Sequence, residues 1–160
     1  MNLRLRPLTP GDAEACDTIM RSLPDWFGYE PGLISCQQAV RSQAGWVAEV
    51  DEEVAGFATW EQRTVATAEI TWMAVHFAHR STGMGTAIIE RLCDDLQERG
   101  FNLALAMTSG AHKVPFEGPD PYDETRGFWF ARGFYPLIEL DIWETDMALL
   151  MVRPLSPPPA

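Results

Sequence analysis

The sequence has few cysteines and no long run of apolar residues. The three cysteines, Cys16, Cys36 and Cys93, are an odd number without a CxxC spacing, which fits neither a disulfide framework nor a zinc site. No apolar stretch approaches the roughly 18 residues of a membrane-spanning helix, and the N-terminus lacks the apolar core of a secretory signal. We therefore expect buried, reduced thiols in a cytoplasmic protein that does not enter a membrane.

Basic residues are scarce beside acidic ones. Lysine and arginine together number 12 against 23 aspartates and glutamates, which leaves a formal net charge of -11. Nucleic acid and anionic membrane surfaces would repel such a chain, so neither is expected as a partner. The charge weakly favours cationic or amine-bearing partners, although it also has the simpler effect of aiding solubility.

Motifs of several common enzyme classes are missing. The chain has no P-loop GxxxxGK[ST] and no GxSxG nucleophile elbow, and Ile88 stands where a dinucleotide-binding GxGxxG needs its third glycine. The histidines His76, His79 and His112 are not joined by a second cluster of metal-ligand residues. We therefore predict no metal site, and a nucleotide-binding domain of another kind stays as an alternative.

The 160 residues suit one domain, which we place at 1–154, followed by a disordered tail at 155–160. Periodicity indicates the order β-α-α-β-β-β-α-β-α-β-β, typical of an α/β or α+β sheet with helices on its faces. A long polar loop is expected at 109–122. Strands are predicted at 3–8, 46–50, 54–62, 65–77, 101–107, 135–142 and 146–155, and helices at 9–23, 31–43, 83–99 and 123–134.

The stretch HRSTGMGTA, residues 79–87, places two glycines between a β-favouring run and a helical pattern. Without a Cβ, Gly83 and Gly85 let a ligand approach the backbone closely, and a helix N-terminus offers unpaired N–H groups. With Arg80 as an added charge, this junction predicts a phosphate site. The alternative is a plain tight turn, in which Ser81 or Thr82 caps the helix.

The pattern R-x-x-G-x-G-x-A resembles the pyrophosphate loop, [Q/R]-x-x-G-x-[G/A], of the GNAT superfamily of acyl-CoA-dependent N-acetyltransferases. A second stretch, YDETRGFWFARGFYPL, resembles the Y-x-x-T-R-x-F-Y-x-x-x-G-F-x-P-L segment of small bacterial members. The resemblance implies a mixed, mostly antiparallel central sheet with helices on both faces. It also implies acetyl-CoA as cosubstrate.

The resemblance carries a set of cofactor contacts onto this sequence. The pantetheine arm would bond to the main chain of the strand before the loop, and an N–H near Val75 would hold the thioester oxygen. The strand residues are Ala74, Val75, His76 and Phe77, and the amides for the pyrophosphate are those of Arg80, Ser81, Thr82, Gly83, Met84, Gly85 and Thr86.

The catalytic residues are less completely matched. Glu69 resembles the general base of the histone-acetylating branch, and the alternative is a solvated carboxylate at a strand end. Members of the family often have a tyrosine that protonates the departing thiolate at the position where this chain has Trp129. The indole of Trp129 has no proton to give at neutral pH. Tyr122 or Tyr135 would have to replace it, and Trp129 becomes a wall of the cofactor site or a core residue.

We therefore interpret the chain as an N-acetyltransferase that moves an acetyl group from acetyl-CoA to a primary amine by direct attack in a ternary complex. The alternative is a non-catalytic acyl-CoA-binding sensor or assembly subunit, which the loss of the tyrosine at Trp129 favours. Loops at 24–32 and 109–124, rich in acids and aromatics, are expected to select an acceptor whose identity stays open. Family members often pair through their C-terminal strands, which makes a homodimer an expectation.

Overall fold

Seven β-strands and five α-helices form in the part of the chain that a computed structural model describes, residues 2–115 and 117–156. Two short 3₁₀ turns, Pro10–Asp12 and Phe77–His79, join them. The strands are β1 (Leu3–Pro7), β2 (Ala44–Val50), β3 (Glu53–Gln62), β4 (Thr67–Val75), β5 (Leu103–His112), β6 (Tyr135–Leu140) and β7 (Asp146–Pro154). The helices are α1 (Ala13–Arg21), α2 (Pro24–Phe27), α3 (Glu30–Ser42), α4 (Met84–Glu98) and α5 (Tyr122–Ala131).

The strands form one sheet in the order β1-β2-β3-β4-β5-β7-β6. Only β4 and β5 are parallel among the neighbouring strands of the described residues, and the other pairs are antiparallel. The apolar run of β4 predicted a central strand, and β4 is the fourth of seven. The mixed, mostly antiparallel sheet is thus confirmed.

Helices cover both faces of the sheet, as expected. On one face α4 and α5 pack over a core that includes Ile88, Leu92 and Trp129, and on the other α1 and α3 pack over a core that includes Ile19 and Val40. Strand β2 contributes to both cores because successive side chains alternate in direction. The strand supplies Trp46 and Ala48 to the first core and Val47 to the second.

Several predicted boundaries were wrong. The loop expected at 24–32 contains α2 and the start of α3, and the strand expected to end at 107 continues as β5 to His112. The expected loop at 109–122 is therefore shorter, and its Phe116 lies outside the described residues. The predicted disordered tail begins with Leu155, which is buried and donates its N–H to the Asn102 carbonyl at 2.8 Å. The rest of that tail, 157–160, lies outside the described residues.

The three cysteines are free and buried, as predicted. Burial raises the pKa of Cys16 to about 12 and that of Cys93 to about 11, and it raises the pKa of Cys36 as well. No helix among the described residues is long and apolar enough to cross a membrane. Within the same residues, no group of three His, Cys, Asp or Glu side chains is placed to hold a metal ion.

Candidate active site

A deep cleft opens where β4 and β5 separate. The two parallel strands pair only from Thr67 opposite Leu103 to Ile70 opposite Ala106. Beyond that point β4 and β5 continue without pairing with each other, and residues of both strands line a cavity of about 1190 Å³. The helix α4 starts at the far end of this cleft, and α2, α5 and the β6–β7 connection border it.

Alternate residues of β4 point their backbone N–H and C=O groups toward the cleft. The His76 amide donates to the Ala55 carbonyl of the β3 side at 2.8 Å. Because backbone groups alternate between the two edges of a strand, those of Ala74 and His76 face β3 and those of Met73 and Val75 face the cleft. The ladder with β3 thus engages Ala74 and His76, which the sequence analysis had assigned to the pantetheine arm, while Val75 is open to it.

The short turn after β4 differs from the expectation in two further positions. The Phe77 amide donates to the Ser22 hydroxyl at 3.1 Å, so this main-chain donor is already used within the protein. The imidazole of His76 also has a role that was not expected, since its Nδ1 accepts a hydrogen bond from the Ala78 amide at 3.1 Å. These contacts fix the turn that leads into the glycine loop.

The first turn of α4 carries amides that have no hydrogen-bond partner among the described residues. Gly83 has a φ of 85° and directly precedes Met84, the first residue of α4. The first intrahelical bond runs from the Ala87 amide to the Gly83 carbonyl at 3.0 Å, so the amides of Met84, Gly85 and Thr86 come before it. Together with the helix dipole, these donors suit an anion.

The hydroxyl side chains of the loop do not cap this helix. Thr82 Oγ1 donates to the His79 carbonyl at 2.5 Å, and Ser81 has a left-handed φ of 62°. No side chain of the described residues caps α4. The capped tight turn, which was the alternative interpretation of HRSTGMGTA, is therefore not what forms.

Arg80 lines the cleft but is held by neighbouring side chains. Its guanidinium carbon lies 4.2 Å from the centre of the Trp26 ring, and its Nη2 lies 3.9 Å from Glu124 Oε2. The indole N–H of Trp26 donates to Thr125 Oγ1 at 3.1 Å. Trp26 thus bridges α2 and α5 across the cleft, with Arg80 stacked on its face.

The comparisons with known proteins agree with this geometry. A family model of the acetyltransferase (GNAT) family matches residues 13–114. The chain belongs to the GNAT acetyltransferase family. The resemblance of the glycine loop to this family is thereby confirmed. A comparison with curated proteins finds no match.

Solved structures share the GNAT fold over nearly the whole chain. A GNAT-family protein from Desulfovibrio desulfuricans has a TM-score of 0.81 at 21% identity, covering 97% of this chain and 100% of its own. The ribosomal-protein-S18-alanine N-acetyltransferase of Escherichia coli has 0.77 at 16% identity, with 97% and 95% covered. A GNAT family acetyltransferase from Elizabethkingia anophelis with acetyl-CoA bound has 0.74 at 15% identity, with 96% and 99% covered. At these identities the likeness shows the fold alone.

Glu69 lines the GNAT cleft and is held by an arginine that the sequence analysis had missed. Its Oε2 accepts from Arg63 Nε at 2.6 Å, and Arg63 Nη1 also donates to Glu61 Oε2 at 2.9 Å. The Glu69 side chain is only 12% exposed. A freely solvated carboxylate, the alternative interpretation of this residue, is therefore not present.

An irregularity in β4 places Glu69 on the same face of the sheet as Trp72. The register with β3 shifts so that Thr59 opposes Trp72 and Trp60 opposes Ile70, which leaves Thr71 as the extra residue of a bulge. Ile70 packs on the α4 face, whereas Trp72 packs on the α1–α3 face. Glu69, whose side chain points opposite to that of Ile70, therefore shares the α1–α3 face with Trp72.

The three aromatic candidates of the C-terminal half lie in different surroundings. Tyr122 begins α5 and lines the cleft, and burial raises the pKa of its phenol. Tyr135 lies on β6 with 65% of its surface exposed and is not among the residues that line the cleft, which corrects its predicted catalytic role. Trp129 borders the cleft and is 6% exposed, with its ring centre 4.9 Å from that of Phe134. It is therefore both a wall of the cleft and a residue of the hydrophobic core.

A polar network at the other end of the cleft was also missed. Ser109 Oγ donates to Asp146 Oδ2 at 2.6 Å, and His112 Nδ1 lies 2.7 Å from Asp146 Oδ1. The second His112 nitrogen lies 3.1 Å from Asp120, and Arg126 donates to Asp120 at 2.5 Å. The bond to Asp146 raises the pKa of His112. Because Asp146 stands between the serine and the histidine, the group is not a nucleophilic triad.

Proposed function

We propose that this GNAT acetyltransferase transfers an acetyl group from acetyl-CoA to a primary amine by direct attack in a ternary complex. One observation carries the proposal: the unpaired edge of β4 and the unpaired amides of α4 open into the same cleft. An extended arm with amide groups can add to a strand edge, and a pyrophosphate can accept hydrogen bonds from a helix N-terminus. Acetyl-CoA contains both parts, and its thioester supplies an activated acetyl group.

The cleft residues have the following proposed roles. The amides of Met84, Gly85 and Thr86 bind the pyrophosphate, and the Val75 main chain binds the arm and donates its N–H to the oxygen that gains charge. Trp129 borders this part of the cleft as an apolar wall. The loop amides of Ser81, Thr82 and Gly83 remain proposed contacts of the same anion, whereas the Arg80 amide already donates to the Phe77 carbonyl at 3.4 Å.

Glu69 is the proposed base. An alkylamine is mostly protonated at neutral pH, because its pKa is about 10, and it must lose a proton before it attacks. Glu69 is in the cleft and oriented by Arg63 through Oε2, and Oε1 accepts no hydrogen bond from the described residues. Oε1 is the atom proposed to take the proton, directly or through a water.

Binding is the first test. Calorimetric titration with acetyl-CoA, with dephospho-CoA, pantetheine and ATP as comparisons, should show binding that needs both the pyrophosphate and the pantetheine arm. No binding of acetyl-CoA would refute the assignment of the cleft. Binding that ATP matches without the arm would favour a nucleotide-binding domain instead.

Turnover separates the enzyme from a non-catalytic acyl-CoA-binding module, the alternative that Trp129 favours. CoA release should depend on an added primary amine. Glu69→Gln should lower kcat with little change in the affinity for acetyl-CoA, whereas an equal loss of both would indicate a structural role. Tight binding of acetyl-CoA without turnover of any amine would support the non-catalytic alternative.

Tyr122 is the proposed acid that protonates the departing thiolate. Its phenol lines the cleft. A tyrosine has an ordinary pKa of about 10, and burial raises the pKa of Tyr122 further, so the phenol carries a proton at neutral pH. Tyr122→Phe should lower kcat by about tenfold or more if this proton transfer matters. Tyr135→Phe is the matched control, since that side chain is exposed on β6. Equal rates for the two variants would remove Tyr122 from the mechanism.

A homodimer through β6 is the proposed assembly. This edge strand exposes large apolar side chains, Tyr135, Leu137 and Ile138, at 65%, 60% and 51%, and an open strand edge is a site for pairing with another chain. Leu137→Glu should convert a dimer to a monomer in analytical ultracentrifugation, and a wild-type monomer would refute the proposal. We also place the protein in the cytoplasm, which its three free thiols support.

A further inference from the structure

We infer that the acceptor is a primary amine carried on an aromatic or similarly bulky apolar group and free of a carboxylate. The inference rests on the function proposed above. It follows from the part of the cleft on the α1–α3 face, which we call the acceptor face: Phe27, Glu61, Arg63, Glu69 and Trp72.

The apolar half of the acceptor face is built from neighbouring aromatic rings. Trp72 and Phe27 lie with ring centres 6.1 Å apart at an angle of 35°. Tyr29 of the α2–α3 connection and Trp143 of the β6–β7 connection also line the cleft. Rings in this number favour a flat apolar group over a short alkyl or a hydroxylated chain, because burying apolar surface supplies most of the binding free energy.

The polar half of the acceptor face carries more negative than positive charge. Arg63 is its single cation, and it donates to Glu69 at 2.6 Å and to Glu61 at 2.9 Å. Two carboxylates and one guanidinium leave a net charge of -1 in the cleft that Trp72 also lines, and Glu144 adds a further acid to the lining. An ammonium group is attracted to this charge and to the ring face together.

Among the described residues, the arginines and the lysine around the acceptor face are already engaged by other groups of the protein. Two of the three Arg63 nitrogens already donate to carboxylates. Arg80 stacks on Trp26 beside the amides proposed for the pyrophosphate, and Lys113 donates to Asp141 and to the Trp143 carbonyl. An α-amino acid would therefore bring its carboxylate against Glu61 and Glu69 without compensation, which disfavours it relative to the amine that lacks this group.

The test compares matched acceptors in an assay of CoA release with saturating acetyl-CoA. The probes are 2-phenylethylamine, phenylalanine, which adds only a carboxylate, and ethylamine, which lacks only the ring. We expect kcat/KM for 2-phenylethylamine to exceed that for each of the others by about tenfold or more. A preference for phenylalanine or for ethylamine, or no turnover of 2-phenylethylamine, overturns the inferred acceptor class.

Two charge variants locate the cause of the preference. Glu61→Gln removes one acid and releases one Arg63 donor, so the ratio of 2-phenylethylamine to phenylalanine should fall by about threefold or more, as for a partly exposed charge. Glu98→Gln removes the same charge at the far end of α4, where the side chain is 67% exposed, and should leave the ratio unchanged. An unchanged ratio in Glu61→Gln would overturn the electrostatic argument.

The failure of this inference is distinguishable from that of the proposed function. Calorimetry with acetyl-CoA is run on the same wild-type protein and variants. If acetyl-CoA binds and another amine class is preferred, the acceptor class is wrong and the acetyltransferase stands. If acetyl-CoA does not bind, the assignment of the cleft itself is wrong.

Discussion

Replacing Gly83 with aspartate tests the anion site in a single position. The glycine has a φ of 85°, and a Cβ added there would meet no atom within 4 Å, so the new side chain has room in the unliganded protein. Its carboxylate would lie within about 5 Å of an anion on the first-turn amides. Two unit charges at that distance repel each other by about 3 kcal/mol at an effective dielectric of 20. Solvent and salt reduce this, so we expect about a 10- to 100-fold loss of acetyl-CoA affinity.

Folding should survive this substitution. A left-handed φ costs an ordinary L-residue about 1–2 kcal/mol, and aspartate and asparagine tolerate it best. A negative charge at a helix N-terminus returns about 0.3–1 kcal/mol. Gly83→Asp should therefore unfold close to the wild-type temperature, and a melting curve shows whether a loss of binding results from unfolding of the variant.

Gly83→Asn is the matched control, because it has the same shape and no charge. Calorimetric titration of both variants with acetyl-CoA separates the charge from the side chain. We expect asparagine to retain most of the affinity and aspartate to lose it, with the difference shrinking at high salt. If both variants are folded and bind as the wild type does, no phosphate lies at α4 and the reasoning fails.

Four further substitutions test other parts of the molecule. Trp26→Phe keeps a ring beneath Arg80 but loses the bond to Thr125, so the Kd for acetyl-CoA should rise by about three- to tenfold; Thr125→Val should have the same effect, and a difference between them would contradict the bridge. His112→Gln should destabilise the protein more at about pH 5.5 than at about pH 9. The pKa of His112 is raised in the folded protein, so its protonation stabilises the fold below the unfolded pKa near 6.5. This contribution is lost as the pH rises through the folded pKa. Urea unfolding at both pH values measures it, and equal losses would contradict it. Phe57→Ala in the fully buried centre of β3 should cost about 3–5 kcal/mol in urea unfolding, and a cost below about 1 kcal/mol would show that this core is loosely packed.

The sequence predicted those elements whose signals are local. The apolar run of β4, the spacing of Met84, Ile88 and Leu92, and Gly100 after α4 lie within one short stretch, and the structure contains each element close to its predicted place. The mixed, mostly antiparallel character of the sheet followed from the family resemblance. A glycine pair between a strand and a helix sufficed to predict an anion site because both geometric requirements act on neighbouring residues.

The contacts that set the chemistry depend on distant residues. Asp146 and His112 lie 34 residues apart and meet only because β7 pairs with β5. The polar end of β5, Ser109 to His112, has few apolar residues to indicate a strand, and that pairing supplies the missing stability. Arg63 follows β3 in a turn, and nothing in its immediate sequence indicates that it holds Glu69. The contact between Arg63 and Glu69 forms only when β3 pairs with β4 and the bulge in β4 is in place.

The two glycines of the loop are required for different physical reasons. Gly83 needs its left-handed φ and has open space around it, whereas a Cβ on Gly85 would lie 2.9 Å from Met73 Cε and 3.3 Å from Phe128 Cε2. The absence of a side chain at Gly85 therefore lets α4 approach β4 and α5, which holds the amides proposed for the anion at the cleft. Because the Met73 terminus is flexible, a single methyl at Gly85 displaces a side chain, while a side chain at Gly83 enters the open space through which the proposed anion would approach. The spacing G-x-G thus combines a backbone requirement with a packing requirement, and only the first is specific to the ligand.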